Sequence, residues 1–266
     1  ATSIIHAGAT PVLVDVDPET GLLDSRKIES AITGRTKAII PVHLYGQMCD
    51  MHKIKTIADK YNLKIIEDAA HCIEAERDGV RPGQLGDVAC FSFYATKNIT
   101  SGEVGAIATN NKDLSEKIML LRQHGMSKEA ADRYSGKYQH WDMLECGWKY
   151  NMDNIQASLL LNQLKLIDER WVSRSRICLK YEDFFSEING VAFPTVVFGT
   201  KSARHLFTIW VDPKRRDDIL WKFQEQGIGV AVNYRAIHLL SYFKSRFKYD
   251  RGMYQHSEKI GDSTIT

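Results

Sequence analysis

Several common functional classes are excluded by what this chain lacks. Its five cysteines, Cys49, Cys72, Cys90, Cys146 and Cys178, form no Cys-x-x-Cys pair. The odd count and spacing argue against a disulfide framework or a zinc ribbon, so reduced thiols in the cytosol are expected. Charge of either sign is not in excess: 35 Lys and Arg face 33 Asp and Glu, for a net +2. That balance gives no electrostatic case for a nucleic-acid or acidic-membrane partner. The basic run Lys214-Arg215-Arg216 is offset by Asp212, Asp217 and Asp218. No apolar run is long enough to span a bilayer, and the first residues do not read as a signal peptide. Internal repeats and low-complexity segments are lacking too.

What is present is ordinary globular composition, 44% apolar and 26% charged over 266 residues. It suits one large domain or two smaller ones. The chain opens at Ala1 inside a pattern and stops in an extended-looking stretch, Ser263-Thr264-Ile265-Thr266. It therefore reads as a piece of a longer protein.

The pattern along the chain alternates strands with helices. Strands are expected at 11–17, 37–43 and 63–68, with Asp24 and Asp50 capping the intervening helices. This alternation predicts an α/β domain with a mostly parallel sheet flanked by helices. A long loop at 69–86 leads to strands near 88–93 and 104–109 and a helix near 112–122. A polar stretch with Gly125 and Gly136 reads as surface loop. A long helix is expected from Asp153 to about Ile188. Beyond it, a strand at 205–211, a helix at 213–226 and a strand at 227–232 predict a smaller C-terminal α+β domain.

Two residues in this pattern suggest chemistry. Lys97 ends the stretch Phe91-Ser92-Phe93-Tyr94-Ala95-Thr96-Lys97, in mostly uncharged surroundings just past a strand. A desolvated lysine has a lowered pKa, and the neutral amine can form a Schiff base. Taken alone it also reads as a surface lysine. Asp68 stands at the C-terminal end of a strand, where open α/β sheets place ligands. Taken alone it also reads as a helix cap, and no second ligand supports a metal there. An imine-forming amine with a carboxylate for a ring nitrogen is the pairing used with pyridoxal phosphate.

The chain resembles the DegT/DnrJ/EryC1/StrS family of pyridoxal-phosphate-dependent sugar aminotransferases. The resemblance is carried by Glu67-Asp68-Ala69-Ala70-His71, Gly86-Asp87, Phe91 to Asn98 and Gly102-Glu103. It extends to Asp15-Val16-Asp17-Pro18-Glu19, Pro41 to Gln47, Trp148-Lys149-Tyr150-Asn151-Met152 and His238. It implies a fold-type-I aminotransferase, with residues 1–165 as the cofactor-binding large domain and 166–266 as the small domain, both incomplete at the chain ends. It implies transfer of an amino group from an amino acid, glutamate above all, to a keto group of a nucleotide-linked sugar, in a cytoplasmic homodimer with shared sites. Sugar dehydration by the same cofactor and a non-catalytic fragment or regulatory homologue are the alternatives; Lys97 argues against the first.

The resemblance also implies roles. Lys97 binds the cofactor aldehyde and moves the proton. Asp68 pairs with the pyridine nitrogen, and Ser92 donates to the phosphate. His71 lies near the ring, where many relatives have glutamine; otherwise it is a packed loop histidine. Lys149 or Asn151 contacts the neighbouring subunit's phosphate, the choice being open, as is an exposed Lys149 at a helix start. His205 and His238 are candidate substrate contacts. Val104 departs from a glycine common after the glutamate. A Ser-Gly-Thr phosphate turn does not appear before Ala1, so weak cofactor binding and no useful turnover are expected of these residues by themselves.

Overall fold

The structure is a computed structural model that describes residues 1–127 and 140–266. The loop expected around Gly125 and Gly136 is thus described only as far as Ser127; the rest of it lies outside the described residues.

The central sheet has four strands: β1 (Ala38–Ile39), β2 (Lys64–Asp68), β4 (Val88–Ser92) and β5 (Gly105–Ala108). The intervening β3 (Glu76–Arg77) pairs outside this sheet, with β6 (Thr200–Lys201). β1, β2 and β4 run parallel, and β5 closes the order antiparallel to β4. In this register the last residue of β2, Asp68, lies beside Cys90, and β4 continues two residues further to Ser92, so both strands run out at the same edge of the sheet. That shared edge positions the site.

Local chemistry explains the helices that flank it. The Asp50 side chain accepts from the Lys53 N–H at 3.1 Å and starts α3 (Met51–Tyr61). Its buried face, Met51, Ile54 and Ala58, packs with Ile65 of β2 and with Met48 and Cys49. Asn111 caps α4 (Lys112–Leu121), and Asp153 caps α5 (Asn154–Lys165). At the N-terminal side lie α1 (Thr2–His6) and the one-turn α2 (Ile28–Ala31), entered through a tight turn capped by Asp24.

Four expectations differ from the structure. The strand at 11–17 is replaced by a turn with a single bridge, Val16 to Leu23. Here the Asp15 carboxylate accepts from its neighbour's Val16 N–H, and Asp17 accepts from the Glu19 and Thr20 N–H groups of the following turn. Such local bonds compete with sheet pairing. The strand at 37–43 shortens to β1 plus one bridge from Val42, because Pro41 between them has no N–H to give. The long helix breaks at Leu166 (φ −99°, ψ 6°) into α5 and α6 (Ile167–Ser186). Neither proline nor glycine stands there; α5 ends in a tight bond from the Leu166 N–H to Gln163 O.

The fourth difference is C-terminal. Of the stretch 205–211 only β7 (Ile209–Trp210) is a strand. It pairs antiparallel with β8 (Thr264–Ile265), which follows α9 (Gln255–Ser263). The stretch 227–232 is irregular, although Ala231 exchanges two backbone bonds with Thr266. Ile209, Val211 and Ile265 pack there against α7 (Arg216–Glu225), and α8 (Ser241–Phe247) follows in the chain, against the turn at 237–239.

A fully buried pair lies under the sheet edge. His43 Nε2 and Glu67 Oε2 are 2.8 Å apart, both side chains at 0% exposure. His43 Nδ1 accepts from the Cys49 N–H, so the ring proton sits on Nε2 and is donated to Glu67. The other carboxylate oxygen accepts from the N–H groups of Gly83 and Gly86. Glu67 therefore ties the loop after β3 to β2. The Glu67→Ala substitution leaves two buried donors and one part-buried donor unpaired and is expected to lower the unfolding free energy by about 3–5 kcal/mol. Urea denaturation followed by circular dichroism measures this; a loss below about 1 kcal/mol would contradict it.

Candidate active site

The site is built on the shared ends of β2 and β4. Asp68 is held on both sides of its backbone: its N–H donates to Pro41 O, and its carbonyl accepts from His43 N–H. Its carboxylate accepts from the Ala70 N–H at 3.2 Å and is half-buried. Ser92 is the last residue of β4, and its hydroxyl accepts from the Tyr94 N–H at 3.3 Å.

Lys97 sits in the turn that follows. The Lys97 N–H closes this turn on Tyr94 O at 2.9 Å, and Phe93 O accepts from the Ser101 N–H and the Thr100 hydroxyl. Phe93 and Ile99, both buried, pack with Leu160 of α5. The apolar anchors on either side of Lys97 fix the turn, while its side chain stays half-buried. Lys97, Ser92, His71, Asn98 and His205 line one pocket together with apolar groups that include Ile73 and Ile99. Burial lowers the Lys97 pKa, and the Asp68 charge partly restores it.

The two pocket histidines are held neutral. Burial takes His71 from the usual 6.5 to about 3, helped by His205 and Lys97. His205 falls to about 4 through burial, Lys97 and Arg174. Their rings lie 4.3 Å apart between centroids. His71 Nδ1 accepts from the Tyr45 N–H at 3.2 Å. Tyr234 stacks on the His71 ring at 6.3 Å, its hydroxyl 3.5 Å from Nε2.

Gly46 makes the approach of His205 possible. Its φ is +109°, and a Cβ there would lie 2.8 Å and 2.9 Å from the backbone nitrogens of Arg204 and His205. The 203–205 segment is thereby bonded to Tyr45 and Gly46, through Ala203 N–H to Gly46 O and His205 N–H to Tyr45 O.

Other sequence candidates lie elsewhere. His238 is 1% exposed, paired with Glu258 at 2.9 Å, and does not line the pocket. Glu258 also accepts from the Gly252 and Tyr254 N–H groups, so in this chain the pair organises the loop before α9. Lys149 is exposed, with Nζ 2.5 Å from Asn151 Oδ1, and neither residue lines the pocket. Beside them Trp148 and Tyr150 stack at 6.1 Å on the surface.

Residues not singled out from the sequence complete the site: Tyr45, Glu74, Asn98, Arg174 and Tyr234. Tyr45 and Asn98 fall inside the matched motifs, which was a usable signal. Glu74 and Arg174 are joined as an ion pair across 100 positions, and no local pattern announces such a contact.

A family-level profile described as the DegT/DnrJ/EryC1/StrS aminotransferase family matches residues 1–266. The spore coat polysaccharide biosynthesis protein SpsC of Bacillus subtilis (strain 168) is 39% identical over 272 residues, covering all of this chain and 70% of that protein. GDP-perosamine synthase of Caulobacter vibrioides is 41% identical over 249 residues, covering 90% of this chain and 63% of that one. Among solved structures, S. venezuelae DesV in complex with a ketimine intermediate superposes with a TM-score of 0.89 at 30% identity. That match covers 99% of this chain and 68% of DesV.

The electrostatics of Lys97 are open to direct measurement. Since the Asp68 charge raises the Lys97 pKa and burial lowers it, Asp68→Asn is expected to move the pKa further down. The pH dependence of Lys97 labelling by an amine-reactive reagent, read by peptide mass spectrometry, reports the midpoint. A midpoint that rises or stays put in the variant would contradict this account.

Proposed function

The chain belongs to the DegT/DnrJ/EryC1/StrS aminotransferase family, and from that premise we propose a specific activity. It transfers an amino group from an amino acid, with glutamate as donor, to a keto group of a nucleotide-linked sugar. The observation that carries this reading is Lys97: a half-buried amine with a lowered pKa, sharing a pocket with Ser92 and His71 and within electrostatic reach of Asp68.

The donor set fits pyridoxal phosphate. It offers an amine for the aldehyde, a carboxylate for the ring nitrogen and a hydroxyl for the phosphate. When bound, the cofactor supplies an electron-accepting pyridinium ring. The chain's own residues do the rest. Apolar lining from Ile73 and Ile99 reduces the solvation of the half-buried Lys97, which favours its neutral, nucleophilic form. Lys97 Nζ takes a proton from the donor's α-carbon and returns it, as a positioned base and acid. Asp68 keeps a proton on the ring nitrogen by its charge. The weakly engaged Ser92 hydroxyl is free to turn its proton to a phosphate oxygen. His71, neutral and stacked, offers a flat face to an aromatic ring, and His205 faces the substrate.

The exposed Trp148–Asn151 segment is well placed to meet a second copy of the chain. In a homodimer Lys149 or Asn151 reaches the neighbouring site's phosphate. The biological setting that accords with the named relatives is polysaccharide or amino-sugar biosynthesis, in the cytoplasm.

The test supplies the protein with pyridoxal phosphate, glutamate and a panel of keto-sugar nucleotides, and follows 2-oxoglutarate and aminated sugar. Lys97→Ala is expected to lower turnover about a thousandfold or more. Asp68→Asn is expected to lower it by about a hundredfold. Full transamination by the Lys97→Ala variant would overturn the assignment.

A further inference from the structure

Asn98 follows the site lysine and has hydrogen-bonding groups on every side. Its Nδ2 lies 3.2 Å and 3.0 Å from the two Glu74 carboxylate oxygens and 3.0 Å from Ala203 O. Carboxylates and backbone carbonyls only accept, so the amide end that faces them must be the NH2. The oxygen end is thereby turned to His205, whose Nδ1 is 2.9 Å away. An amide oxygen also only accepts, so His205 Nδ1 must carry the proton. In the neutral ring Nε2 is then a bare lone pair on the opposite edge. Among the described residues no group is hydrogen-bonded to it.

Glu74 cannot release this arrangement easily. Its side chain is 2% exposed and paired with Arg174 of α6. Arg174 also reaches Ala203 O with Nε, so the carboxylate and the carbonyl that orient the Asn98 amide share one cation. His71 is fixed the opposite way: the Tyr45 N–H can only donate, so His71 Nδ1 is bare and its proton is on Nε2. Two imidazoles 4.3 Å apart thus hold opposite tautomers in one pocket, one with a donor at Nε2 and one with an acceptor.

We propose that Asn98, oriented by Glu74 and Arg174, is a positioning residue that locks His205 as the Nδ1–H tautomer and so presents Nε2 to accept a hydrogen bond from a substrate hydroxyl. The locked tautomer follows from the donors and acceptors alone. Its use on a hydroxyl-bearing substrate rests on the proposed sugar aminotransferase reading. A lone pair at this place selects for a hydroxyl that must donate, and a ring with the other tautomer would select against it.

The test uses the full chain labelled with 15N-histidine, with the His205 signals assigned from their loss in His205→Phe. Long-range proton–nitrogen correlation distinguishes a protonated ring nitrogen from a bare one. In the wild-type protein near neutral pH, Nδ1 is expected to be protonated and Nε2 bare. Asn98→Ala is expected to turn this single tautomer into a mixture, and Glu74→Gln to do so in part. In turnover assays His205→Phe is expected to raise KM for the sugar nucleotide about tenfold. Wild-type His205 with its proton on Nε2 would overturn the proposal, as would an unchanged tautomer in Asn98→Ala or an unmoved KM. The wild-type spectrum serves even where a variant fails to fold. Loss of all transamination with the tautomer intact would count against the proposed activity and leave the lock standing.

Discussion

The site depends on a balance between burial and charge at one amine. Lys97 is lined by apolar groups that disfavour its ammonium form, while the Asp68 carboxylate favours it. Without burial the amine would be fully protonated and inert; without the carboxylate it would be costly to place there at all. The rest of the fold serves to hold these two groups at their separation. The parallel register of β2 and β4 brings their ends together, and a rigid turn carries Lys97 past the edge.

That rigidity is supplied by buried polar groups together with the apolar clusters they adjoin. Glu67 and His43 brace the strand end from below. Glu74, Asn98 and Arg174 brace the lysine turn from the side, drawing in α6 and the 202–205 segment. Every one of these groups is paired, and a buried polar network contributes specificity only when its members are satisfied. Gly46 supplies the remaining condition, since any side chain there would strike the backbone that brings His205 to the pocket.

Much of this was legible in the sequence wherever the signal was local. The helix caps at Asp24 and Asp50 and the strand expected at 63–68, found at 64–68, follow from short patterns. The strand at 11–17 was misread because its β-branched apolar run ends in two aspartates whose carboxylates take up nearby backbone N–H groups. The break at Leu166 carries no proline or glycine to announce it. His238 was named as a substrate contact by motif likeness alone; in this chain it is buried, pairs with Glu258 and does not line the pocket. The Glu74–Arg174 contact spans 100 positions and is set by tertiary packing, which periodicity does not encode.

The central claim is that, of all the lysines in this chain, Lys97 is the amine that takes the cofactor aldehyde. Borohydride reduction of the protein mixed with a stoichiometric amount of pyridoxal phosphate, followed by peptide mapping, tests it most directly. The account predicts a pyridoxyl group on the peptide containing Lys97 and little elsewhere. Label on Lys149, or spread over the exposed lysines with Lys97 unmodified, would contradict it.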